Sequence, residues 1–490
     1  MSDPGTIEDT RLPGTSPGRG TVVILIARVV QLFSGFGVSI VLARGLGPVE
    51  FGIYGVVMSL LTWLERLING GIPTAAATLM ARKAEQQGTV ERSTRLLLVL
   101  YALPWFGLAW LTAPAVADRL GIASGTVLIR IALLNLPMTA LYFAYEGVFG
   151  GRRAFDQQSL LHILQAVAKF VGVALLFLVG LSVAGSFVVH VGATVLAVTY
   201  VAMRHRLGSG RASVPVMREM FRIAFPIGVY FVALAVLMSI SLWQLQAAGG
   251  LHPEDVGYFV AGINLTRIMM MVPSSVSGVL YASLAWAIST SQPQLVTKYV
   301  QGAVRFGLIV MVPACVLLCA NASEVMQLLY GREYAAGGPI LALLSIAFSM
   351  IALFDVLFSA LMAAGRMVLS AGVLLALIPV LYLLDVVWIA PYGAVGAASA
   401  VAVAMGVGAV ASGVLTHYLV APPVELATLA RIGAAGLVAG IVSLLVPATG
   451  LWLLVELAFS GLLYIAVLWG SGEVTLDEAR HFAVWKPERR

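Results

Sequence analysis

Fourteen stretches of mainly apolar residues, each long enough to cross a bilayer, follow one another along this chain with only short breaks between them. They cover approximately 20–43, 50–80, 95–116, 125–149, 159–181, 184–203, 219–247, 255–283, 301–320, 337–363, 367–389, 394–420, 426–446 and 449–470. A spanning helix needs roughly 20 such residues. Of the 490 residues, 60% are hydrophobic and only 11% charged. A soluble globule of that size needs far more polar surface, so a single large soluble domain is excluded. The chain reads as an all-α polytopic membrane protein with about 14 transmembrane helices.

The basic residues set the expected topology. With an inside N-terminus, the outer connections hold Arg44, Arg119 and Arg332, while 21 other Lys and Arg fall on the cytoplasmic side. That is the positive-inside bias, and it places both termini in the cytoplasm. The net charge of +6 then reports topology, not nucleic-acid binding. Residues 1–18, rich in Gly, Pro, Ser and Thr, are expected to be a disordered cytoplasmic tail. Their acidic start is unlike a signal peptide.

Two short segments repeat. Leu46-Gly47-Pro48-Val49-Glu50-Phe51-Gly52 joins the first two runs, and Leu251-His252-Pro253-Glu254-Asp255-Val256-Gly257 joins the seventh and eighth. Gly151-Arg152 after the fourth run is echoed by Gly365-Arg366 after the tenth. Both echoes are offset by six helices, an even number, so the copies cross in the same direction. The expectation is a parallel repeat of two six-helix lobes plus a C-terminal pair. The lobes would cover 19–207 and 208–420, with the pair at 421–472 and a cytoplasmic tail at 473–490. Short outer loops argue against a glycan-assembly enzyme, whose catalytic residues sit in large outer loops. They favour a transporter.

Arg28, Arg66 and Arg267 lie inside runs. A cation at the bilayer centre costs about 2.5–3.5 kcal/mol on insertion scales, so these residues are expected to face a polar cavity. Arg28, Gln31, Gly35 and Ser39 share roughly an 80° sector, as do Ser59, Thr62, Arg66, Asn69 and Pro73. Asn264, Arg267, Ser274 and Ser275 share about 100°, and Tyr230, Ser241 and Gln244 about 60°. Arg28, Arg66, Arg267, Gln31, Asn69, Asn264, Gln244 and Lys169 are therefore the candidate substrate-binding residues. Guanidinium groups suit phosphate oxygens, being always charged and forked. The competing reading is internal pairing, such as Glu65 with Arg66, or snorkelling, which fits Arg130 best. Glu146 is placed to pair with Arg152 or Arg153. Asp355, Asp385 and Glu65 are candidate coupling carboxylates for a proton or Na⁺. The plainer reading of Asp355 is a helix–helix hydrogen bond, and that of Asp385 and Glu456 an interfacial position.

Cys315 and Cys319, one turn apart, read as two small apolar side chains, since no further ligand completes a metal site. No phosphate-binding loop, zinc motif or nucleophile elbow occurs, so no resident metal or cofactor is expected and the chain does not read as an enzyme.

The segment from Leu46 to Tyr54 after the first run closely resembles bacterial polysaccharide and oligosaccharide flippases. So do Leu329-Tyr330-Gly331-Arg332-Glu333-Tyr334 and Gly338-Pro339 before the tenth. These belong to the multidrug/oligosaccharidyl-lipid/polysaccharide exporter superfamily. The resemblance implies translocation of a polyprenyl-diphosphate-linked oligosaccharide across the bacterial cytoplasmic membrane by alternating access. The export would serve surface polysaccharide synthesis, with membrane lipids and polysaccharide-assembly proteins as partners. It implies cavity arginines on helices 1, 2 and 8, where Arg28, Arg66 and Arg267 fall. It also implies a Na⁺ site on helices 7, 11 and 12, for which helix 7 here has no carboxylate and Asp385 is the only counterpart. A multidrug or cation antiporter of the same fold is the alternative, and Arg28, where drug exporters often carry an acid, speaks against it.

Overall fold

The expected runs fold as helices in a computed structural model that describes residues 17–122, 124–205, 210–248 and 252–474. Among the described residues there is no strand. In chain order the helices are α1 (Pro17–Asn69), α2 (Ile72–Arg82), α3 (Gln87–Arg119), α4 (Gly125–Leu133), α5 (Asn135–Gly151), α6 (Phe155–Val179), α7 (Val183–Arg204) and α8 (Val214–Ala247). They continue with α9 (Glu254–Thr266), α10 (Met271–Ser289), α11 (Pro293–Ala320), α12 (Ala322–Tyr330), α13 (Gly338–Ala363), α14 (Met367–Leu419), α15 (Leu426–Leu445) and α16 (Trp452–Gly470). Grouped across their breaks they make fourteen crossings. Residues 1–16 of the expected tail and 475–490 of the other lie outside the described residues, while Pro17 already opens α1.

Among the described residues, eleven helical stretches are separately long and apolar enough to span a membrane. The difference has a local cause. α1 and α14 each carry two crossings, divided at Gly47 (φ 75°, ψ 171°) and Gly393 (φ 57°, ψ −135°). A side chain is disfavoured at such positive φ. Pro48, directly after Gly47, also pushes its predecessor out of the helical region. A third crossing is split by a 3₁₀ turn, Arg267–Met270, between α9 and α10. The fifth and sixth runs are distinct helices. Gly180 (φ 129°) ends α6, and Ser182 caps α7 by accepting from the Gly185 N–H at 3.1 Å.

The chain forms two compact units. The first holds the described residues up to Gly45 together with Val57–Ala235, and the second holds Leu46–Val56 and the chain from Val236. In the second unit the two halves of the sequence echo meet. A Cβ on Gly52 would lie 2.8 Å from the Gly257 nitrogen, and one on Gly257 would collide with the Pro48 carbonyl. Phe51 packs against Tyr330 and Tyr334 at 6.3 Å between ring centroids, and Tyr258 against Tyr334 at 5.9 Å. In the first unit the start of α8 returns onto the helices before it. A Cβ on Gly228 would lie 2.8 Å from the Gly70 carbonyl oxygen, and Lys83 pairs with Glu219 at 2.6 Å. Burying such small residues lets backbones approach closely where lipid supplies no hydrophobic drive between helices.

The C-terminal pair, α15 and α16, is pinned to α11 at both ends. Asn321 donates to Ser443 at 2.7 Å. At the other end Glu473, just past α16, takes Arg305 at 2.8 Å and Arg431 at 3.2 Å.

Candidate functional site

The first unit gathers Arg28, Arg66, Gln31, Glu65 and Lys169 around one set of polar side chains. Arg28 and Arg66 are exposed. Among the described residues neither guanidinium has a carboxylate within ion-pair distance. Both act electrostatically on Glu146 from separate crossings. Arg66 occupies the last turn of α1, ahead of Gly70 (φ 43°) and Gly71 (φ 79°). The carbonyl end of a helix favours a cation there.

Glu65 does not pair with Arg66. Its Oε1 accepts from the Asn135 amide at 2.7 Å and the Thr139 hydroxyl at 3.2 Å. Asn135 also lies 3.3 Å from His190 Nε2. Lys169, half-buried, acts electrostatically on both Glu65 and His190. Glu146 does not pair with Arg152 or Arg153 as expected. Arg152 is taken by the buried Glu91, and Glu146 stands 3.7 Å from His162 Nε2. His162 Nδ1 is met by the Gln31 amide at 3.1 Å and by the Tyr142 hydroxyl. Three basic side chains thus share the region with two carboxylates, of which Glu65 is held by Asn135 and Thr139. Asn69 ends α1 half-buried, one turn beyond Arg66.

Asn135, Thr139, Tyr142, His162 and His190 were not singled out from the sequence. A signal existed. Asn135, Thr139, Tyr142 and Glu146 recur at spacings of 4, 3 and 4, and His162, Gln165 and Lys169 at 3 and 4. Each set is one polar face of an apolar helix.

The second unit holds the remaining candidates. Arg267 is exposed at the 3₁₀ break, one turn after the half-buried Asn264. Ser274 and Ser275 carry no described side chains. Asp385 has no exposed surface, and its Oδ2 accepts from Ser241 at 2.7 Å and Gln244 at 3.1 Å. Gln244 is therefore engaged by Asp385. Asp355 accepts from Ser277 at 2.8 Å, the helix–helix bond that its plainer reading anticipated. Glu456 is also buried, accepting from Ser460 at 2.8 Å. Arg130 lies over the Trp110 ring, 5.2 Å from its centroid. Among the described residues no three His, Cys, Asp or Glu side chains converge as a metal site.

A model of the family described as polysaccharide biosynthesis protein matches residues 18–282, more than half of the sequence. The chain belongs to this family. The polysaccharide biosynthesis family member has the fold of the multidrug/oligosaccharidyl-lipid/polysaccharide exporter superfamily. Among curated proteins it is similar to stage V sporulation protein B of Bacillus subtilis (strain 168), 20% identical over 353 residues, covering 65% of this chain and 67% of that one. Among solved structures it is similar to lipid II flippase MurJ in an inward closed conformation, with a TM-score of 0.76 at 13% identity, over 92% of this chain and 97% of that one. It is also similar to an inward-facing multidrug resistance MATE family transporter, with a TM-score of 0.69 at 13% identity, over 85% and 98%. At such identity these structures establish the fold of this family member and leave its cargo to its own residues.

Proposed function

We propose that this chain translocates a polyprenyl-diphosphate-linked oligosaccharide across the bacterial cytoplasmic membrane by alternating access. The observation that carries the reading is the pair Arg28 and Arg66. Two exposed guanidiniums in membrane-spanning helices, with no ion-pair partner among the described residues, suit an anionic ligand. A diphosphate supplies about two charges and the oxygen geometry that a guanidinium fork recognises. A lipid tail outside the protein avoids the cost of housing a long hydrocarbon within a charged site.

The kinship with polysaccharide biosynthesis proteins and the likeness to a lipid II flippase support a glycan-bearing lipid. A cationic drug is disfavoured by the same two guanidiniums. In this reading both termini are cytoplasmic, and enzymes of glycan assembly act before and after the chain without being part of it. For ion coupling, the buried carboxylate of Asp385 is the best-placed group. Its Oδ1 is buried without a hydrogen-bond partner among the described residues, beside the Ser241 hydroxyl and the Gln244 amide. Hard cations take such oxygen ligands.

The test is translocation of undecaprenyl-diphosphate-linked N-acetylglucosamine in proteoliposomes, read by accessibility to an added diphosphatase. Arg28→Ala and Arg66→Ala each reduce the rate at least about tenfold, with unchanged insertion. Wild-type rates in both variants end the reading.

A further inference from the structure

Glu146 and His162 face each other close to Gln31, which lies one turn from Arg28 on α1, and neither is paired with a guanidinium. The Gln31 amide nitrogen can only donate, so at 3.1 Å it makes His162 Nδ1 an acceptor. The neutral ring then carries its proton on Nε2, which faces Glu146 Oε1 at 3.7 Å. That separation is too long for a hydrogen bond. The Tyr142 hydroxyl, on the same crossing as Glu146, meets Nδ1 as well and fixes the ring. The result is one donor and one acceptor, side by side, neither consumed by the other. Their side chains are 28% exposed for Glu146 and 18% for His162, enough for a ligand atom to reach both.

A hydroxyl group fits that gap. Its oxygen accepts from the Nε2 hydrogen while its own hydrogen is donated to the carboxylate. A phosphate oxygen does not fit, because it has no hydrogen to give Glu146 and meets its negative charge. Gln31, which touches His162, lies one turn from Arg28 on α1, so the hydroxyl site adjoins the stretch of α1 that carries that guanidinium.

Resting on the diphosphate reading above, we infer that Glu146 and His162 form a sugar-recognition site. It takes a hydroxyl of the neutral sugar directly attached to the diphosphate, with Gln31 and Tyr142 as positioning residues. Selectivity follows from the polar groups left unpaired when the sugar is absent. A site built to bind a hydroxyl rejects the analogue that lacks it far more strongly than an apolar pocket does.

The experiment measures dissociation constants for the full chain in nanodiscs. The probes are undecaprenol, undecaprenyl diphosphate, and a panel of undecaprenyl diphosphates each carrying one neutral hexose or N-acetylhexosamine. The wild type prefers at least one sugar-bearing lipid over bare undecaprenyl diphosphate by about fivefold or more. Glu146→Gln moves the two affinities in opposite directions. Loss of a negative charge beside the guanidiniums tightens the bare lipid about threefold, and the sugar preference falls to within about twofold. His162→Ala loses the preference too, and Tyr142→Phe weakens it in part. A merely damaged fold would weaken both lipids. A preference that survives both Glu146→Gln and His162→Ala, or a wild type without any preference across the panel, overturns the sugar site. Undecaprenyl diphosphate binding no tighter than undecaprenol overturns the diphosphate reading instead.

Discussion

Ser241 on α8 donates a 2.7 Å hydrogen bond to Oδ2 of Asp385 on α14, joining two distant crossings through a carboxylate that has no exposed surface. Gln244, one turn further along α8, donates to the same oxygen at 3.1 Å. One oxygen therefore holds two donors while the other holds none among the described residues. A buried carboxylate with half of its acceptor capacity unused is costly, which makes Asp385 a point where stability and function are set together.

Asp385→Ala removes the acceptor of both bonds and strands two donors. Hydrogen bonds to a charged group contribute about 1.5–3 kcal/mol each, so a loss of about 2–4 kcal/mol is expected. Thermal unfolding in detergent reads it as a lower melting temperature. Asp385→Asn, which keeps the shape, is expected to melt closer to wild type and to abolish any dependence of translocation on a Na⁺ or proton gradient. Gradient dependence persisting in Asp385→Asn rules this carboxylate out as the coupling group.

Arg66→Lys separates charge from geometry. The ammonium keeps the positive charge in the last turn of α1 but loses the planar fork. Affinity for undecaprenyl diphosphate should fall by about tenfold, between wild type and Arg66→Ala, with little change in thermal stability because Arg66 is exposed. Equal affinities for Arg66→Lys and wild type would mean that Arg66 acts as a point charge only.

The crossings were legible because a spanning helix announces itself by length and apolarity, and the breaks were legible where Gly and Pro mark them. Gly47-Pro48 is the clearest case: the pair that reads as a connection is the reversal inside α1. The polar residues were legible only along single helices. Arg28 and Arg66 could be placed on faces from their spacing, but Glu146, on which both act electrostatically, sits on α5. Its apparent neighbours in sequence, Arg152 and Arg153, misled because Arg152 reaches Glu91 on α3 instead. Glu65 beside Arg66 misled in the same way: adjacent helical residues diverge by about 100°, and Glu65 turns to Asn135. The burial of Asp385 and Glu456 was not legible, because position in a run gives depth, not which face is covered by another helix.

Gly257 tests the close approach at the sequence echo. A Cβ there would collide with the Pro48 carbonyl, whereas one on Gly406, inside α14, would meet nothing within 4 Å. Gly257→Ala should therefore lower the melting temperature or the folded yield, because backbone rather than a flexible side chain must move. Gly406→Ala should be neutral or stabilising by up to about 1 kcal/mol, the usual helical gain of Ala over Gly. Fluorescence-detected size exclusion after a temperature series compares the two. Equal behaviour would show that the Pro48–Gly257 contact is looser than its geometry.

Glu473 is expected to decide whether the C-terminal pair stays docked. Its carboxylate is buried to 3% exposure, its Oε1 takes Arg305 Nε at 2.8 Å, its Oε2 takes Arg431 Nη1 at 3.2 Å, and its backbone carbonyl takes a further Arg305 nitrogen. Arg305 belongs to α11 and Arg431 to α15, so one side chain after α16 links three helices. Glu473→Ala should destabilise the chain by about 1–3 kcal/mol, the range for bonds to charged groups. Arg305→Ala should cost more than Arg431→Ala, because Arg305 is the less exposed (31% against 47%) and makes the additional backbone bond. Limited proteolysis between α14 and α15, at 420–425, supplies the local readout. Cleavage there should rise in Glu473→Ala ahead of any global unfolding, and unchanged cleavage with an unchanged melting temperature would remove Glu473 from the anchor.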